Sequence, residues 1–199
     1  MMSGFVLSLI LFASTEALLV QSSRDYYWRD YDGKTPEDAI LGGRDHENKN
    51  IYIGQVYIQH KGLVVAQIDQ DQRTVYAEMD GVQLIDKNIK ILCGPRYRFY
   101  WMPSNFTRLH TDLKEKRLVV GGHEDAAKRY FVGRIKCDYG FCIGKVLEQG
   151  GDGKSVFYGA DRHGEPLKTD SYEVLVNEEI ISERGSFGSD RNVLRRIHT

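Results

Sequence analysis

Hydrophobic and polar residues alternate along most of the chain with the period of two that is typical of β-strands. Runs rich in β-branched and aromatic residues are separated by Gly, Asp, Asn and Lys, as at 51–53, 55–58, 63–65 and 89–92. This spacing favours antiparallel strands joined by tight turns, so we expect an all-β fold. Helical turns are expected only at 36–41 and 191–197.

The pattern occurs twice along the chain. Residues 39–45 (AILGGRD) are matched by 118–124 (LVVGGHE) at an offset of 79 residues, and 52–56 (YIGQV) by 131–135 (FVGRI) at the same offset. Weaker matches pair 62–68 with 140–146, 75–76 with 156–157, and 89–92 with 172–175. An internal repeat of this length indicates a duplicated β unit.

We therefore predict two tandem antiparallel β repeats, at 26–95 and 97–178. A lone β unit of this size buries little apolar surface. The two repeats are accordingly expected to pack with pseudo-twofold symmetry into one compact domain.

The two ends of the chain differ from the repeats. Residues 1–17 hold an apolar run followed by small residues, which predicts a signal peptide and a secreted protein with no integral membrane segment in its mature chain. The alternative is an uncleaved segment and a cytoplasmic protein. Asn105 begins the one glycosylation sequon, which is weak support for secretion. Residues 184–199 carry four arginines and predict a mobile basic tail.

Charge and motif content exclude several functions. The chain has 27 Lys and Arg against 28 Asp and Glu, for a net charge of −1, which argues against a nucleic-acid partner. Its six histidines lack metal-ligand spacing, so neither a metal nor a cofactor is expected. Lys154 and Ser155 do not complete a phosphate-binding loop, and no nucleophile motif occurs, so we predict that the protein is not an enzyme.

Two of the three cysteines lie close together in the sequence. Cys137 and Cys142 flank four residues, and a four-residue hairpin loop would place them opposite each other. A cross-strand disulfide is then possible in an oxidising compartment. Two small core residues are an equal alternative, because Ile58 and Val64 take the same places in the first repeat. Cys93 is left unpaired in either case.

Several spaced motifs are similar to those of the tandem DM9 (DM-nine) repeat family. They are Tyr26-Tyr27-Trp28, Gly42-Gly43-x-Asp45 and Ile51-Tyr52-Ile53-Gly54, followed in the second copy by Tyr130-Phe131-Val132-Gly133-Arg134 and Ile143-Gly144-Lys145-Val146. The resemblance covers about residues 26–176. It implies a compact two-repeat β protein that is often dimeric. Some members are mannose-binding lectins that act in pattern recognition in invertebrate innate immunity.

The resemblance also implies candidate site residues. Sugar binding in the lectin members uses the acidic residue of the Gly-Gly-x-Asp motif and a lysine about twenty residues later. Here the two pairs are Asp45 with Gln67 and Glu124 with Lys145. A carboxylate accepts hydrogen bonds from sugar hydroxyls and an ammonium donates them, so Glu124 with Lys145 is the expected main site. The alternative is that the acidic residues only cap turns and that Lys145 is an exposed strand residue.

Four aromatic residues lie near these motifs: Trp28, Tyr52, Trp101 and Tyr139. A ring of this kind can stack on a sugar, but we expect core packing for each.

The resemblance and the residues together predict a secreted, non-enzymatic, lectin-like carbohydrate-binding protein of innate immunity. Its expected partners are mannose-type glycans on microbial or host surfaces, and a homodimer would supply avidity. The alternative function is a structural or protein-interaction module of the same fold whose sugar site is degenerate.

Overall fold

A computed structural model of the chain describes residues 26–112, 115–124, 128–149 and 154–178. The predicted signal peptide (1–17), the basic tail (184–199) and the predicted helical turn at 191–197 lie outside the described residues.

Fourteen β-strands make up most of the described chain, which confirms the all-β prediction. The other elements are a 3₁₀ turn, Arg96–Arg98, and one helical turn, α1 (Leu109–Asp112). The strands are β1 (Tyr27–Asp30), β2 (Leu41–Arg44), β3 (Asn50–Ile58), β4 (Gly62–Asp69), β5 (Val75–Glu78), β6 (Val82–Ile85), β7 (Ile89–Cys93), β8 (Phe99–Asn105), β9 (Val120–His123), β10 (Arg129–Cys137), β11 (Gly140–Gln149), β12 (Lys154–Ala160), β13 (Pro166–Thr169) and β14 (Ser171–Asn177).

The segment 36–41 forms one hydrogen-bonded turn, in which the Ala39 N–H donates to the Pro36 carbonyl at 3.2 Å, but it does not continue into a helix. The residues that follow lie against β7 instead, where Ala39 forms a bridge with Cys93 and the Ile40 N–H donates to the Leu92 carbonyl at 2.8 Å. Because these backbone groups are satisfied by a neighbouring strand, the helical hydrogen-bond series ends after one turn.

The two halves of the chain share most of their strand pairings, but β11 pairs with β12 in the second half, whereas the equivalent strands β4 and β5 lie in different sheets. In the first half β3 pairs with β2, β4 and β7, and β7 also pairs with β1. In the second half β10 pairs with β9, β11 and β14, and β14 also pairs with β8. All pairs are antiparallel. Twelve strands form one sheet, while β5 and β6 form a separate two-stranded sheet.

Burial corrects one detail of the repeat alignment. Val75 and Phe157 are both buried, whereas the following residues, Tyr76 and Tyr158, are both partly buried. The equivalent of 75–76 is therefore 157–158 rather than 156–157, because one-residue slips in a strand exchange its two faces.

The halves contact each other through reciprocal interactions at the Gly-Gly strands. The Gln55 amide of the first half donates to the Gly121 carbonyl at 2.8 Å, and the Arg134 guanidinium of the second half donates to the Gly42 carbonyl at 2.9 Å. These reciprocal bonds join the two halves; the pseudo-twofold axis stays a prediction.

One hydrophobic cluster draws residues from both halves, including Ile53, Val65, Val132 and Ile143. Trp28 and Trp101 pack against it from the sides, and Tyr52 is buried in the cluster of the first half. Core packing is therefore correct for these three aromatic residues.

The hairpin between β10 and β11 carries a disulfide between Cys137 and Cys142, whose Cα atoms are 6.0 Å apart. The predicted four-residue loop is wrong, because Cys137 pairs with Gly140 and the turn has two residues, Asp138 and Tyr139. The cysteines are thus diagonal neighbours rather than opposite partners. Gly140 follows the turn with φ of +108°, which favours glycine. Cys93 is a buried free thiol.

Candidate functional site

A polar cavity of about 200 Å³ lies where the ends of β2, β4 and β5 meet the end of β12. Its lining is rich in oxygen acceptors from carboxylates and amides: Asp45, Gln67, Asp69, Gln70, Gln72 and Asp161. Lys49, Thr74, Tyr76 and Arg162 add hydrogen-bond donors. Both halves of the chain contribute to it, so the first predicted pair, Asp45 with Gln67, shares one cavity with residues from the second half. We call it the open pocket.

Asp45 stands immediately after β2 and is held by its own turn. Its Oδ1 accepts the backbone N–H groups of Glu47 at 2.9 Å and Lys49 at 2.8 Å. Its Oδ2 lies 3.7 Å from the Arg162 guanidinium, and the side chain is 7% exposed. Asp45 therefore caps a turn, as the alternative interpretation expected, and also fixes a cation at the pocket wall.

Gln67 projects from β4 toward the second half. Its Oε1 accepts the Ile143 backbone N–H at 3.0 Å, and its Nε2 donates to Asp69 Oδ1 at 2.6 Å. These two bonds fix which end of the amide is the donor. Gln67 and Asp69 thus present a preorganised donor and carboxylate at the pocket wall.

The second predicted pair has a different environment. Lys145 projects from β11, and its side chain is 6% exposed. Its Nζ donates to the Glu78 carbonyl at 2.6 Å and lies 3.0 Å from the Glu78 carboxylate and 3.4 Å from the Met79 sulfur. It also lies 5.1 Å from the centre of the Tyr130 ring. Lys145 is a buried, fully partnered cation, so the expectation of an exposed strand residue is wrong.

Glu124 lies on the outer side of the same cluster. Its carboxylate accepts from Lys128 at 2.5 Å and from the Tyr130 hydroxyl at 3.1 Å, and 41% of the side chain is exposed. The Tyr130 hydroxyl is also 3.7 Å from the Met79 sulfur. Burial, and then the neighbouring Glu124 carboxylate, raise the pKa of Tyr130. Tyr130 and Met79 thus lie between Glu124 and Lys145. We call these four residues together with Glu78 the closed site.

The open pocket and the closed site differ in the strand end that reaches them from the opposite half of the chain. At the open pocket β12 ends in Ala160, whose small side chain lines the cavity. At the closed site β5 ends in Glu78, and Met79 follows with 4% of its surface exposed. A larger apolar side chain and a carboxylate therefore occupy the space near Lys145.

Sequence reasoning missed a cluster of rings at the rim of the open pocket. Tyr139 contacts His163 with ring centres 4.9 Å apart and His46 with ring centres 5.8 Å apart, both edge to face. His46 follows Asp45 and His163 follows Arg162, so both imidazoles adjoin pocket residues. Core packing is therefore wrong for Tyr139. A signal was present in the position of Tyr139, since a hairpin turn between two cysteines lies at a surface.

Within the described ranges, no group of three or more His, Cys, Asp or Glu side chains is arranged to hold a metal ion. The same residues include no helix with the length and apolar character needed to span a bilayer.

Comparison with known proteins identifies a family but no individual relative. No curated protein matches the chain. The sequence profile of the DM9 repeat matches residues 12–82 and again residues 58–154, two tandem copies that together extend over most of the sequence. The duplicated strand pairings and the paired Gly-Gly motifs agree with this tandem match, and the chain belongs to the DM9 repeat family.

Proposed function

We propose that this protein is a secreted lectin-like module that binds neutral, mannose-type sugars in the open pocket. DM9 repeat proteins are lectin-like and are not an enzyme family, which fits a carbohydrate-binding module. The observation that carries the proposal is the polar cavity that surrounds Gln67 and Asp69.

The chemistry of the lining suits a polyol. A sugar hydroxyl donates one hydrogen bond and accepts others, so a pocket with carboxylate, amide and cationic groups can match neighbouring hydroxyls in one orientation only. The volume of about 200 Å³ lies below the roughly 300–1,000 Å³ of pockets for drug-sized ligands, which suits a single sugar ring.

The closed site lowers the expected number of sugar-binding sites per chain. Because Lys145 is buried and already partnered, the pair first expected to be the main site does not offer its ammonium to a ligand. We propose one sugar site per chain, with avidity for microbial or host glycans supplied by a homodimer. The buried cluster also favours a structural role for this part of the second half.

The test is a titration of the mature protein with methyl α-mannoside, in which calorimetry and ligand-observed NMR measure binding. We expect one site per chain and at least tenfold weaker binding in Gln67→Ala and in Asp69→Asn. Glu124→Gln at the closed site is the matched control and should bind as the wild type does. Absence of binding to mannose and to other neutral monosaccharides would overturn the proposal. So would binding that depends on Glu124 and not on Gln67.

Secretion has a separate test. Amino-terminal sequencing of protein recovered from culture medium should begin near Leu18, and the sequon should carry a glycan at Asn105. Asn105 ends β8 at a turn, with its side chain partly exposed and its Oδ1 accepting from the Thr107 backbone at 3.2 Å. Recovery of the chain inside cells with Met1 intact would contradict secretion.

A further inference from the structure

The ring cluster of His46, Tyr139 and His163 stands beside the open pocket. Arg162 links the two, because its guanidinium lies 3.7 Å from the Asp45 carboxylate inside the pocket and 5.8 Å from the centre of the Tyr139 ring outside it. Both histidines are exposed, and Tyr139 is partly exposed. A ligand that enters the pocket past Arg162 would meet these rings at the rim.

Backbone bonds fix the segments that carry the three rings, and the edge-to-face contacts of Tyr139 with His46 and His163 restrict the rings themselves. The Cys137–Cys142 disulfide brackets the turn that carries Tyr139, and the His46 N–H donates to the Tyr139 carbonyl at 3.1 Å. The His163 N–H donates to Asp161 Oδ1 at 2.8 Å. Rings that are already ordered lose little conformational entropy when a ligand binds.

This cluster is particular to the open pocket. Tyr139 precedes the hairpin glycine Gly140, and the residue that precedes the equivalent glycine, Gly62, is Lys61. Lys61 lies over the closed site, where its Nζ donates to the Met79 carbonyl at 2.9 Å and pairs with Asp80 at 3.3 Å. An aromatic rim is therefore found where the cavity is open, and a partnered cation where it is filled.

The chemistry of the rim complements a second sugar. A pyranose has one face of C–H groups, which packs against the electron-rich face of an aromatic ring, while its hydroxyls bond to polar groups at the ring edges. Tyr and His combine an apolar ring with a polar edge and can make both contacts.

We propose that His46, Tyr139 and His163 form a subsite for the second residue of an oligosaccharide whose terminal residue occupies the open pocket. This inference rests on the proposed function and narrows its ligand class from monosaccharides to glycan ends of two or more rings.

The experiment compares methyl α-mannoside with α-linked mannobiose and mannotriose by calorimetry on the oxidised, mature protein. Wild type should bind the oligosaccharides roughly tenfold more tightly than the monosaccharide. Tyr139→Ala and the surface variant His163→Ala should bring this ratio close to one and leave monosaccharide affinity within about twofold of wild type. Tyr97→Ala, at a ring that is 74% exposed and does not line the pocket, is the matched control.

The outcomes separate the two proposals. Equal wild-type affinity for one and two rings, or an unchanged ratio in both ring variants, would overturn the subsite and leave the pocket assignment standing. Loss of monosaccharide binding in His163→Ala would also overturn it, since the ring would then act on the pocket itself. Absence of all sugar binding by the wild type would instead overturn the proposed function, and the subsite with it.

Discussion

The open pocket and the closed site occupy equivalent positions in two halves that share most of their strand pairings, yet they use their polar residues in opposite ways. In the open pocket Gln67 is bonded to the wall and faces a cavity. In the closed site Lys145 occupies the equivalent place in β11, and Glu78 and Met79 cover it. The lysine of the second half, Lys145, is thus buried among protein groups, whereas the neutral amide of Gln67 lines an accessible cavity.

The difference follows from the cost of desolvating an ion. A buried ammonium is tolerated only if nearby groups replace the water that it loses, and Lys145 is supplied with a carboxylate, a carbonyl and a sulfur. An amide has no such demand and can line a wet cavity. Four predictions test this comparison, in order of the expected change in the free energy of unfolding.

Removing the buried cation should have the largest effect. Lys145→Ala leaves Glu78 charged, 15% exposed and without its partner, so we expect a loss of about 3–5 kcal/mol. Gln67→Ala, the equivalent change at the open pocket, should cost only about 1 kcal/mol because water can replace its bonds. Urea denaturation of both variants measures the difference.

A double variant separates charge burial from packing. Glu78→Leu with Lys145→Met removes both charges and keeps the volume, so it should recover most of the stability lost in Lys145→Ala. Equal losses for Lys145→Ala and Gln67→Ala would contradict the assignment of Lys145 as a buried ion. Because Lys145→Ala is expected to be strongly destabilised, a loss of sugar binding in this variant would not show that Lys145 contacts a sugar.

Met79→Ala should have the next largest effect. Met79 is 4% exposed in the core cluster of the first half, and truncation of such a side chain costs about 2–5 kcal/mol. It should also open the closed site, because the removed sulfur lies 3.4 Å from Lys145 Nζ and 3.7 Å from the Tyr130 hydroxyl. Thermal denaturation gives the first effect, and a crystal structure of the variant with water or sugar near Lys145 gives the second. If the closed site instead collapses and holds neither water nor sugar, the Met79 side chain is not what keeps it closed.

The sequence predicted the fold better than the site, for a physical reason. Strand formation depends on neighbouring residues, because the β-branched and aromatic side chains at 51–58 and 62–68 favour extended backbone, even though β3 is buried on both faces rather than alternately. The offset of 79 residues then related the two halves, and the reciprocal bonds of Gln55 and Arg134 to the Gly-Gly strands follow from it. The loop predicted between Cys137 and Cys142 is two residues too long, because cysteine spacing alone does not show that Gly140 already pairs with Cys137.

The site could not be read in the same way. Its outcome depends on side chains from the other half, since Met79 reaches Lys145 and Ala160 reaches the pocket of Gln67 only after the halves have packed. The charges of Glu124 and Lys145 within the second repeat do not reveal which side chains of the first repeat pack against them. The ranking of Glu124 with Lys145 above Asp45 with Gln67 rested on charge alone, and burial opposes it.

Tyr130→Phe should give a smaller effect with a distinct pH dependence. Its hydroxyl donates to Glu124, and loss of this bond should cost about 1 kcal/mol near pH 7. The pKa of Tyr130 is raised above its ordinary value of 10.0, so its contribution is fully present below pH 10 and is lost as the pH rises from there toward the folded-state pKa.

The stability difference between wild type and Tyr130→Phe should therefore shrink above pH 10. Denaturant titrations at pH 8, 10 and 11 measure it. Tyr97→Phe, at an exposed ring, is the control for general alkaline effects. A difference that is constant across this range would mean that burial and Glu124 do not raise the pKa of Tyr130 in the folded protein.

Ala160→Met should have the smallest effect on stability and the clearest effect on binding. It places at the open pocket a side chain like the one that fills the closed site, and the existing cavity can accept it, so the free energy of unfolding should change by less than about 1 kcal/mol. Methyl α-mannoside affinity, measured by calorimetry, should fall at least tenfold because the ligand and the methionine compete for the same volume. Ala160→Ser keeps the pocket open and should bind as the wild type does. If the methionine variant binds sugar normally, a larger side chain at the end of β12 does not close the pocket, and the bulk of Met79 is not what separates the two sites.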